Sequence, residues 1–221
     1  MRVFVVAGSP QATPPAGLVP GSDDRVIAAD FGAHHARAWG WPVHLLIGDL
    51  DSLPGEDAAA LASTNTPTIT APTAKDETDL ELALVQAVAQ DPAQILICGA
   101  LGGRADHMLA NVLLLARPDL RARRVIIADG PETLQLLAGG ETASGTPQNL
   151  SLAGEPGDLL SLLPIGGDAG GVTTAGLLYA LHEETLYLGA PRGVSNVFTG
   201  AAALVSLRAG LLLVIHTRDQ S

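Results

Sequence analysis

Two carboxylates separated by a single residue are the strongest chemical signal in the chain. Asp49 and Asp51 lie in the segment 48–52, directly after the apolar run 43–47. Because side chains alternate along an extended chain, these two carboxylates point the same way. Mg²⁺ prefers one or two such oxygens and completes its shell with water and phosphate. The spacing therefore indicates a magnesium site, although Asp and Ser are also ordinary loop residues after a strand.

The first turn of a predicted helix carries a second acidic cluster, within residues 75–79. Thr78 with Glu81 three residues later fits a capping box, which predicts that the helix begins at Thr78. Rigid placement at a helix start suits a metal ligand, and Asp79 is the candidate. Repulsion between Asp79 and the pair Asp49 and Asp51 would be costly without a cation among them. The alternative is that the helix dipole alone favours acidic residues there.

A glycine-rich turn follows the predicted strand 95–98 and opens another predicted helix, 105–116. The glycines let the backbone approach a phosphate, and the helix start supplies N–H donors. The pattern matches neither G-x-G-x-x-G nor G-K-[ST]. Arg104 can clamp phosphate oxygens with two parallel hydrogen bonds, while Asp106 and Asn111 can position a hydroxyl or a metal-bound water. A plain glycine turn with an ion pair is the alternative, and His107 alone is more often a packed or capping residue than a base.

The order of predicted elements indicates two domains. Strands alternate with helices to about residue 130, which predicts an α/β domain with a parallel, Rossmann-like sheet. Short apolar runs separated by Gly, Pro and Asn follow, including 177–181, and these predict an all-β sandwich. We place the boundary after residue 135, giving domains 1–135 and 136–221. Ligands bind at the carboxyl ends of strands in such sheets, where the three clusters and Asp30, directly after the run 26–29, are expected to meet.

Composition excludes several classes of function. The net charge of −11 and the 3% of aromatic residues disfavour nucleic-acid binding and anionic membrane surfaces. The single cysteine, Cys98, permits no intrachain disulfide and no thiolate-rich zinc site. No G-x-S-x-G motif supports serine-hydrolase chemistry, and no apolar run is long enough for a signal peptide or a membrane span. We expect a cytoplasmic protein.

These motifs, in this order, resemble those of the thiamine pyrophosphokinase (thiamine diphosphokinase) family. The second half agrees with the resemblance in the segments 161–164, 176–181, 193–196 and 210–215. The resemblance covers nearly the whole chain. It implies an N-terminal α/β domain, a C-terminal β-sandwich and a homodimer with active sites at the subunit interface. The implied reaction converts ATP and thiamine into AMP and thiamine diphosphate.

The resemblance also implies a role for each matching residue. Asp49, Asp51 and Asp79 would hold Mg²⁺ against the ATP phosphates, and with Arg104 and Asp106 they would form the catalytic set. The residues expected at the nucleotide are Asp30, Lys75, Thr78, Gly102, Gly103, Arg104, His107 and Asn111. Ser195 and Asn196 would contact thiamine.

Two positions depart from the family pattern. Val197 stands where the family often has Glu, and Phe31 stands where it commonly has a small or basic residue before Gly32. Val197 leaves open a related pyrophosphokinase that acts on another hydroxymethyl heterocycle, such as a pterin. A third hypothesis is a thiamine or nucleotide sensor without catalysis, which would require the carboxylate set to be broken.

Overall fold

A computed structural model of the chain describes residues 1–48, 53–70, 76–140 and 146–219. The chain divides into two compact units, Met1–Gly130 and Pro131–Ser221, whereas the sequence analysis placed the boundary after residue 135. Within the described ranges, no helix combines the length and hydrophobicity that a membrane crossing requires.

The first unit is built on six parallel strands. Its elements are β1 (Arg2–Val6), β2 (Arg25–Ala29), α1 (Gly32–Ala38), β3 (Leu45–Gly48), α2 (Gly55–Ser63), β4 (Thr68–Thr70), α3 (Asp79–Ala89), β5 (Gln94–Cys98), α4 (Ala105–Leu113), a 3₁₀ turn (Leu114–Ala116), α5 (Pro118–Arg121) and β6 (Val125–Asp129). The strand order is β4-β3-β2-β1-β5-β6, and each neighbouring pair is parallel. The expected parallel α/β sheet is confirmed.

Continuous apolar runs form this sheet because both of its faces are covered. Val3 to Val6 of β1 have no exposed surface, as expected for a central parallel strand. α3 buries Leu80, Ala83, Leu84 and Ala87, which recur at helical spacing. The second predicted helix ends at Leu113 rather than at 116, because a 3₁₀ turn follows and buries Leu115.

Strand order places a crevice beside β1. The chain proceeds from β1 through β2, β3 and β4 on one side, and then returns to place β5 on the other side. The loops that follow β1 and β5 therefore lie next to each other at the carboxyl ends of the strands, which is where open α/β sheets bind ligands. The segments after these strands begin at Ala7 and Gly99, and they include the predicted glycine-rich turn.

The second unit consists of antiparallel strands. They are β7 (Glu132–Ala138), β8 (Gln148–Ala153), β9 (Leu159–Pro164), β10 (Ala169–Ala175), β11 (Glu184–Leu186), β12 (Asn196–Val197), β13 (Ala202–Leu207) and β14 (Leu211–Thr217). β7, β14, β9 and β12 are neighbours in one group, and β11, β10, β13 and β8 in another. Buried side chains from both groups, such as Leu160, Leu162, Val172 and Val205, belong to one apolar cluster.

One predicted strand in this unit is wrong. The run 177–181 forms a single bridge, between Leu177 and Phe198, and is otherwise a loop. Gly176 turns the chain with a φ of +77°, and the carbonyl oxygen of Ala202 occupies the space that a Cβ would need. The strand β13 was missed because its alanines have low β-propensity. Burial alternates along β13, which is typical of a strand with one face in the core.

Candidate active site

Asp30 and two of the sequence-predicted polar clusters, those at the starts of α3 and α4, line one cleft of about 700 Å³. It lies at the carboxyl ends of β1, β2 and β5, beside the starts of α3 and α4. The predicted residues that line it are Asp30, Thr78, Asp79, Gly102, Arg104, Asp106, His107 and Asn111. Predicted residues from three separate stretches of sequence therefore share one solvent-accessible surface.

Three predicted residues, Asp49, Asp51 and Lys75, lie outside the described part of the chain. The structure does describe Gly48, directly before the pair of carboxylates. A Cβ added to Gly48 would lie 3.2 Å from the Cα, Cβ and Oδ1 atoms of Asp30. The backbone N–H of Asp30 also donates to the carbonyl oxygen of Ile47, at 2.7 Å. Because Asp30 lines the cleft and lies against Gly48, the end of β3 is next to the cleft as well.

The start of α3 is held as the capping pattern predicts. The Thr78 hydroxyl oxygen accepts a hydrogen bond from the backbone N–H of Glu81, at 3.1 Å. The Glu81 carboxylate accepts from Arg117 at 3.1 Å. This cap sets the direction of the first turn, and Glu77 and Asp79 line the cleft on either side of Thr78.

The glycine turn before α4 is shaped by the loop after β1. Gly102 and Gly103 have φ values of +81° and +72°, which glycine adopts without strain. A Cβ on Gly103 would lie 2.8 Å from Cδ of Pro10. The Gly103 N–H donates to Oε1 of Gln11 at 2.6 Å, and the Ser9 hydroxyl donates to the carbonyl oxygen of Leu101. The Gly103 N–H, which the sequence predicts as a phosphate donor, therefore donates to the side-chain amide of Gln11 in this structure.

Ser9, Pro10 and Gln11 were not identified from the sequence. Their segment is a proline-containing loop without a recognisable motif, yet Ser9 and Pro10 line the cleft. The available signal was their position directly after the first strand. In a parallel sheet that position becomes informative once strand order is known.

Arg104 and Asp106 form a two-pronged ion pair on the cleft wall. The distances are 3.2 Å from Nε to Oδ1 and 2.7 Å from the terminal nitrogen to Oδ2. This hydrogen bonding lowers the pKa of Asp106 to about 2 and raises the pKa of Arg104. Both side chains are more than 60% exposed, at 73% and 64%. A guanidinium carries five N–H donors, so Arg104 can hold Asp106 and still donate to an anion.

Asn111 anchors α4 to the glycine turn. Its side-chain nitrogen donates to the carbonyl oxygen of Ala100 at 3.0 Å. The sequence pattern predicts that this amide positions a hydroxyl or a metal-bound water. The observed bond adds a structural role, because it ties the second turn of α4 to the loop that precedes the helix.

The donor chemistry of the cleft suits a hard divalent cation. Carboxylates from Asp30, Glu77 and Asp79 line it, and carboxylate oxygens are what Mg²⁺ prefers. No three His, Cys, Asp or Glu side chains within the described ranges form a metal-binding group by themselves. A magnesium site would need further ligands, and the carboxylates that the sequence predicts for it, Asp49 and Asp51, lie outside the described residues.

The two predicted thiamine contacts lie in the second unit and are used differently. Asn196 is buried, and its Oδ1 accepts from the N–H groups of Tyr179 and Val197, both at 2.9 Å. Its Nδ2 donates to the carbonyl oxygen of Tyr179 at 2.7 Å. Ser195 is exposed, with a φ of +58°, and its N–H donates to the Ser161 hydroxyl at 3.0 Å. Asn196 thus holds the 177–181 loop in place.

A smaller cavity of about 180 Å³ lies beside these residues. Tyr179, Arg192, Val194 and Asn196 are among the side chains that line it. Nε of Arg192 donates to a carboxylate oxygen of Glu184 at 2.8 Å. Neither Tyr179 nor Arg192 was predicted as a site residue. Arg192 belongs to no motif, and the segment 176–181, which contains Tyr179, was interpreted only as a strand.

The fold and the first-unit cleft define a two-unit protein whose first, α/β unit has a cleft lined by carboxylates, an arginine and a glycine turn. Comparison with known families agrees in both units. Residues 20–127 match the model described as thiamin pyrophosphokinase, catalytic domain, and residues 148–212 match thiamin pyrophosphokinase, vitamin B1 binding domain. The chain belongs to the thiamin pyrophosphokinase family.

Individual relatives extend over most of the chain. A thiamine pyrophosphokinase of Bacillus subtilis (strain 168) is 28% identical over 172 residues, which cover 78% of this chain and 77% of that protein. The crystal structure of thiamine pyrophosphokinase from Bacillus subtilis superposes with a TM-score of 0.87 at 26% identity, covering 99% of this chain and 100% of that one. A thiamin pyrophosphokinase family protein from Enterococcus faecalis gives a TM-score of 0.82 at 30% identity, with 100% of both chains covered.

Proposed function

We propose that this chain transfers a diphosphoryl group from ATP to the hydroxyl of thiamine, giving thiamine diphosphate and AMP. The observation that carries the proposal is the convergence of eight sequence-predicted residues on the first-unit cleft. Membership of the thiamin pyrophosphokinase family supports the choice of both substrates.

The reaction exchanges one phosphorus–oxygen bond for another. The thiamine hydroxyl oxygen bonds to the β-phosphorus of ATP while the bond from that phosphorus to the oxygen bridging to the α-phosphorus breaks. AMP leaves with the bridging oxygen, and the hydroxyl proton is released. Such transfers depend on positioning and charge neutralisation more than on covalent help from the protein.

Each residue of the cleft has a proposed part in that positioning. Asp49, Asp51 and Asp79 would hold Mg²⁺, which supplies neutralisation of phosphate charge when bound. Arg104 would donate to phosphate oxygens while Asp106 keeps the guanidinium in place. The backbone of Gly102 and Gly103 would donate to phosphate once Gln11 releases the Gly103 N–H. The remaining nucleotide contacts would come from Asp30, Lys75, Thr78, His107 and Asn111.

Ser195 and Asn196 have separate proposed parts on the thiamine side. The exposed Ser195 would contact thiamine directly. Asn196 would act chiefly by fixing Tyr179 beside the smaller cavity, because three of its hydrogen bonds already go to backbone groups. We further propose a homodimer, a cytoplasmic location, a Rossmann-like first domain and a sandwich-like second domain, as the family resemblance implies.

The test is AMP release by the full-length protein, followed with and without thiamine and with and without Mg²⁺. We expect AMP only when both are present, and we expect Asp51→Asn to reduce turnover at least about 100-fold while the protein stays folded. Asp23→Asn removes an exposed carboxylate from the loop before β2 and is the matched control. Thiamine-independent AMP release, or full activity in Asp51→Asn, would contradict the proposal. A panel of hydroxymethyl heterocycles, including a pterin, tests the acceptor.

A further inference from the structure

Phe31 is the aromatic side chain of the cleft that the proposed roles leave unused. The chain has only three Phe, two Tyr and two Trp residues. Phe4 and Trp41 are buried in the core of the first unit, whereas Phe31 is half-buried and lines the cleft. An aromatic ring on a ligand-facing wall is therefore notable in so aromatic-poor a chain.

The ring of Phe31 is held from several sides. Its centroid lies 4.9 Å from that of His34 and 5.1 Å from that of His35, the latter in a T-shaped arrangement. His35 is itself fixed, because its Nε2 bonds to the carbonyl oxygen of Ser9 at 2.8 Å and its ring stacks on Trp39. A Cβ on Gly8 would lie 2.8 Å from Cβ of Phe31. Phe31 thus occupies a defined position before any ligand arrives.

Asp30, which precedes Phe31, sits at the end of β2 and has a φ of +50°. Left-handed backbone at a residue other than glycine is concentrated at functional sites. In dinucleotide-binding sheets of the Rossmann type, an acidic residue at the end of the second strand bonds to the ribose. Asp30 and Phe31 occupy the corresponding end of this cleft, and Gly102 and Arg104 occupy the other.

The spacing across the sheet is compatible with a nucleotide. β2 and β5 are separated by β1, so their ends lie about 10 Å apart, two strand spacings. A ligand with its phosphates at Gly102 and Arg104 would place its nucleoside toward Asp30 and Phe31. The second unit carries the match to the vitamin B1 binding domain, which favours the nucleoside over thiamine as the partner of this ring.

We infer that Phe31 is the stacking platform for the nucleobase of the phosphate donor. The inference rests on the proposed function, and it identifies a specificity residue at the position where the chain departs from the small or basic residue of its family. The ring contributes a flat apolar face, and stacking on it favours a nucleoside triphosphate over a triphosphate without a base.

The experiment compares ATP with inorganic tripolyphosphate, each titrated into the full-length protein by calorimetry. Phe31→Leu keeps an apolar side chain and removes the flat face, and Phe31→Tyr keeps the face. We expect Phe31→Leu to weaken ATP binding about 5- to 10-fold and to change tripolyphosphate binding less than about twofold. Phe31→Tyr should bind ATP within about twofold of the unsubstituted protein.

Three results would overturn the inference. They are unchanged ATP affinity in Phe31→Leu, equal weakening of both ligands, and a raised KM for thiamine with an unchanged KM for ATP. His107→Leu tests the other aromatic ring among the described lining residues, and a selective loss of ATP affinity in that variant alone would assign the base to His107. Because binding is measured without turnover, a protein that binds ATP through Phe31 but releases no thiamine-dependent AMP would refute only the proposed function.

Discussion

The first-unit cleft and the Ser195–Asn196 segment of the second unit use their polar side chains in opposite ways. In the cleft, Arg104 and Asp106 remain largely exposed and pair with each other at the surface. In the second unit, Asn196 is buried and its amide is committed to the backbone of Tyr179 and Val197. The polar groups of Arg104 and Asp106 are accessible from the cleft, whereas those of Asn196 form hydrogen bonds within the protein.

The difference shows that a polar motif in a family pattern can have two physical origins. Exposed charged pairs contribute little to stability, so a function is the better explanation for an ordered one on a cleft wall. A buried amide with three backbone partners serves the fold, because the amide itself would otherwise be buried without partners. Substitutions should therefore separate the two regions, with activity lost in the first and stability lost in the second.

The largest expected effect is on turnover, from Asp79→Asn. The variant keeps Thr78 and therefore the cap of α3, so the fold should persist while the carboxylate proposed to hold Mg²⁺ is lost. We expect kcat to fall at least about 100-fold, measured as AMP release with ATP, thiamine and Mg²⁺ all present. Glu81→Gln neutralises another acid in the same helical turn and should retain turnover. A fully active Asp79→Asn protein would show that the cleft does not take part in the reaction.

A smaller effect, on stability, is expected from Asn196→Ala. The change leaves the N–H and carbonyl groups of Tyr179 without their side-chain partner, which should lower the free energy of unfolding by about 2 to 3 kcal/mol. Urea denaturation measures this loss. Ser195→Ala changes an exposed side chain one position earlier and should leave the denaturation midpoint close to that of the unsubstituted protein. Equal midpoints for Asn196→Ala and the unsubstituted protein would show that Asn196 is not structural.

The smallest effect concerns acid sensitivity and compares one carboxyl from each region. Asp158 in the second unit is buried and bonds to His216 at 2.8 Å. Burial raises the pKa of Asp158. Hydrogen bonds from the N–H groups of Asp219 and Glu155 and from His216 together lower that pKa by more, so the net pKa lies below its ordinary value. A carboxyl with a lowered folded-state pKa contributes stability above its ordinary pKa, and that stability is lost as pH falls below about 4.

Asp158→Asn replaces a carboxylate oxygen that accepts these hydrogen bonds, so it should destabilise the protein at pH 7 by about 1 to 2 kcal/mol. It should also flatten the loss of stability as pH falls below about 4. The exposed Asp106 also has a lowered pKa, yet Asp106→Asn should change the unfolding midpoint much less at neutral and at acidic pH, because solvent screens an exposed ion pair. Thermal unfolding followed across pH compares the two variants. If the unfolding temperatures of the two variants depend on pH in the same way, the assignment of a structural role to Asp158 and a functional role to Asp106 is contradicted.

Much of the first unit could be predicted from local sequence. Apolar runs identified five of the six strands of the parallel sheet, and the β-rich run 66–70 identified the other. Thr78 with Glu81 identified the start of α3, where the cap is observed. The strands of the second unit were harder to predict, because Gly176 and the alanines of β13 weaken the sequence signals that distinguish a strand from a loop. The run 177–181 is apolar enough for a strand, but Gly176 turns the chain and Asn196 supplies its backbone partners instead.

The sequence by itself determined which polar residues follow the strands and open the helices, since apolar periodicity and helix caps depend on neighbours within a few residues. Tertiary structure alone decided how those residues are used. Gln11 reaches Gly103 across 92 positions and Asn196 reaches Tyr179 across 17. Hydrogen-bond partners depend on which segments approach after the chain has folded, and spacing along the sequence does not encode that approach. For the same reason only the fold places Phe31 on the wall of the cleft.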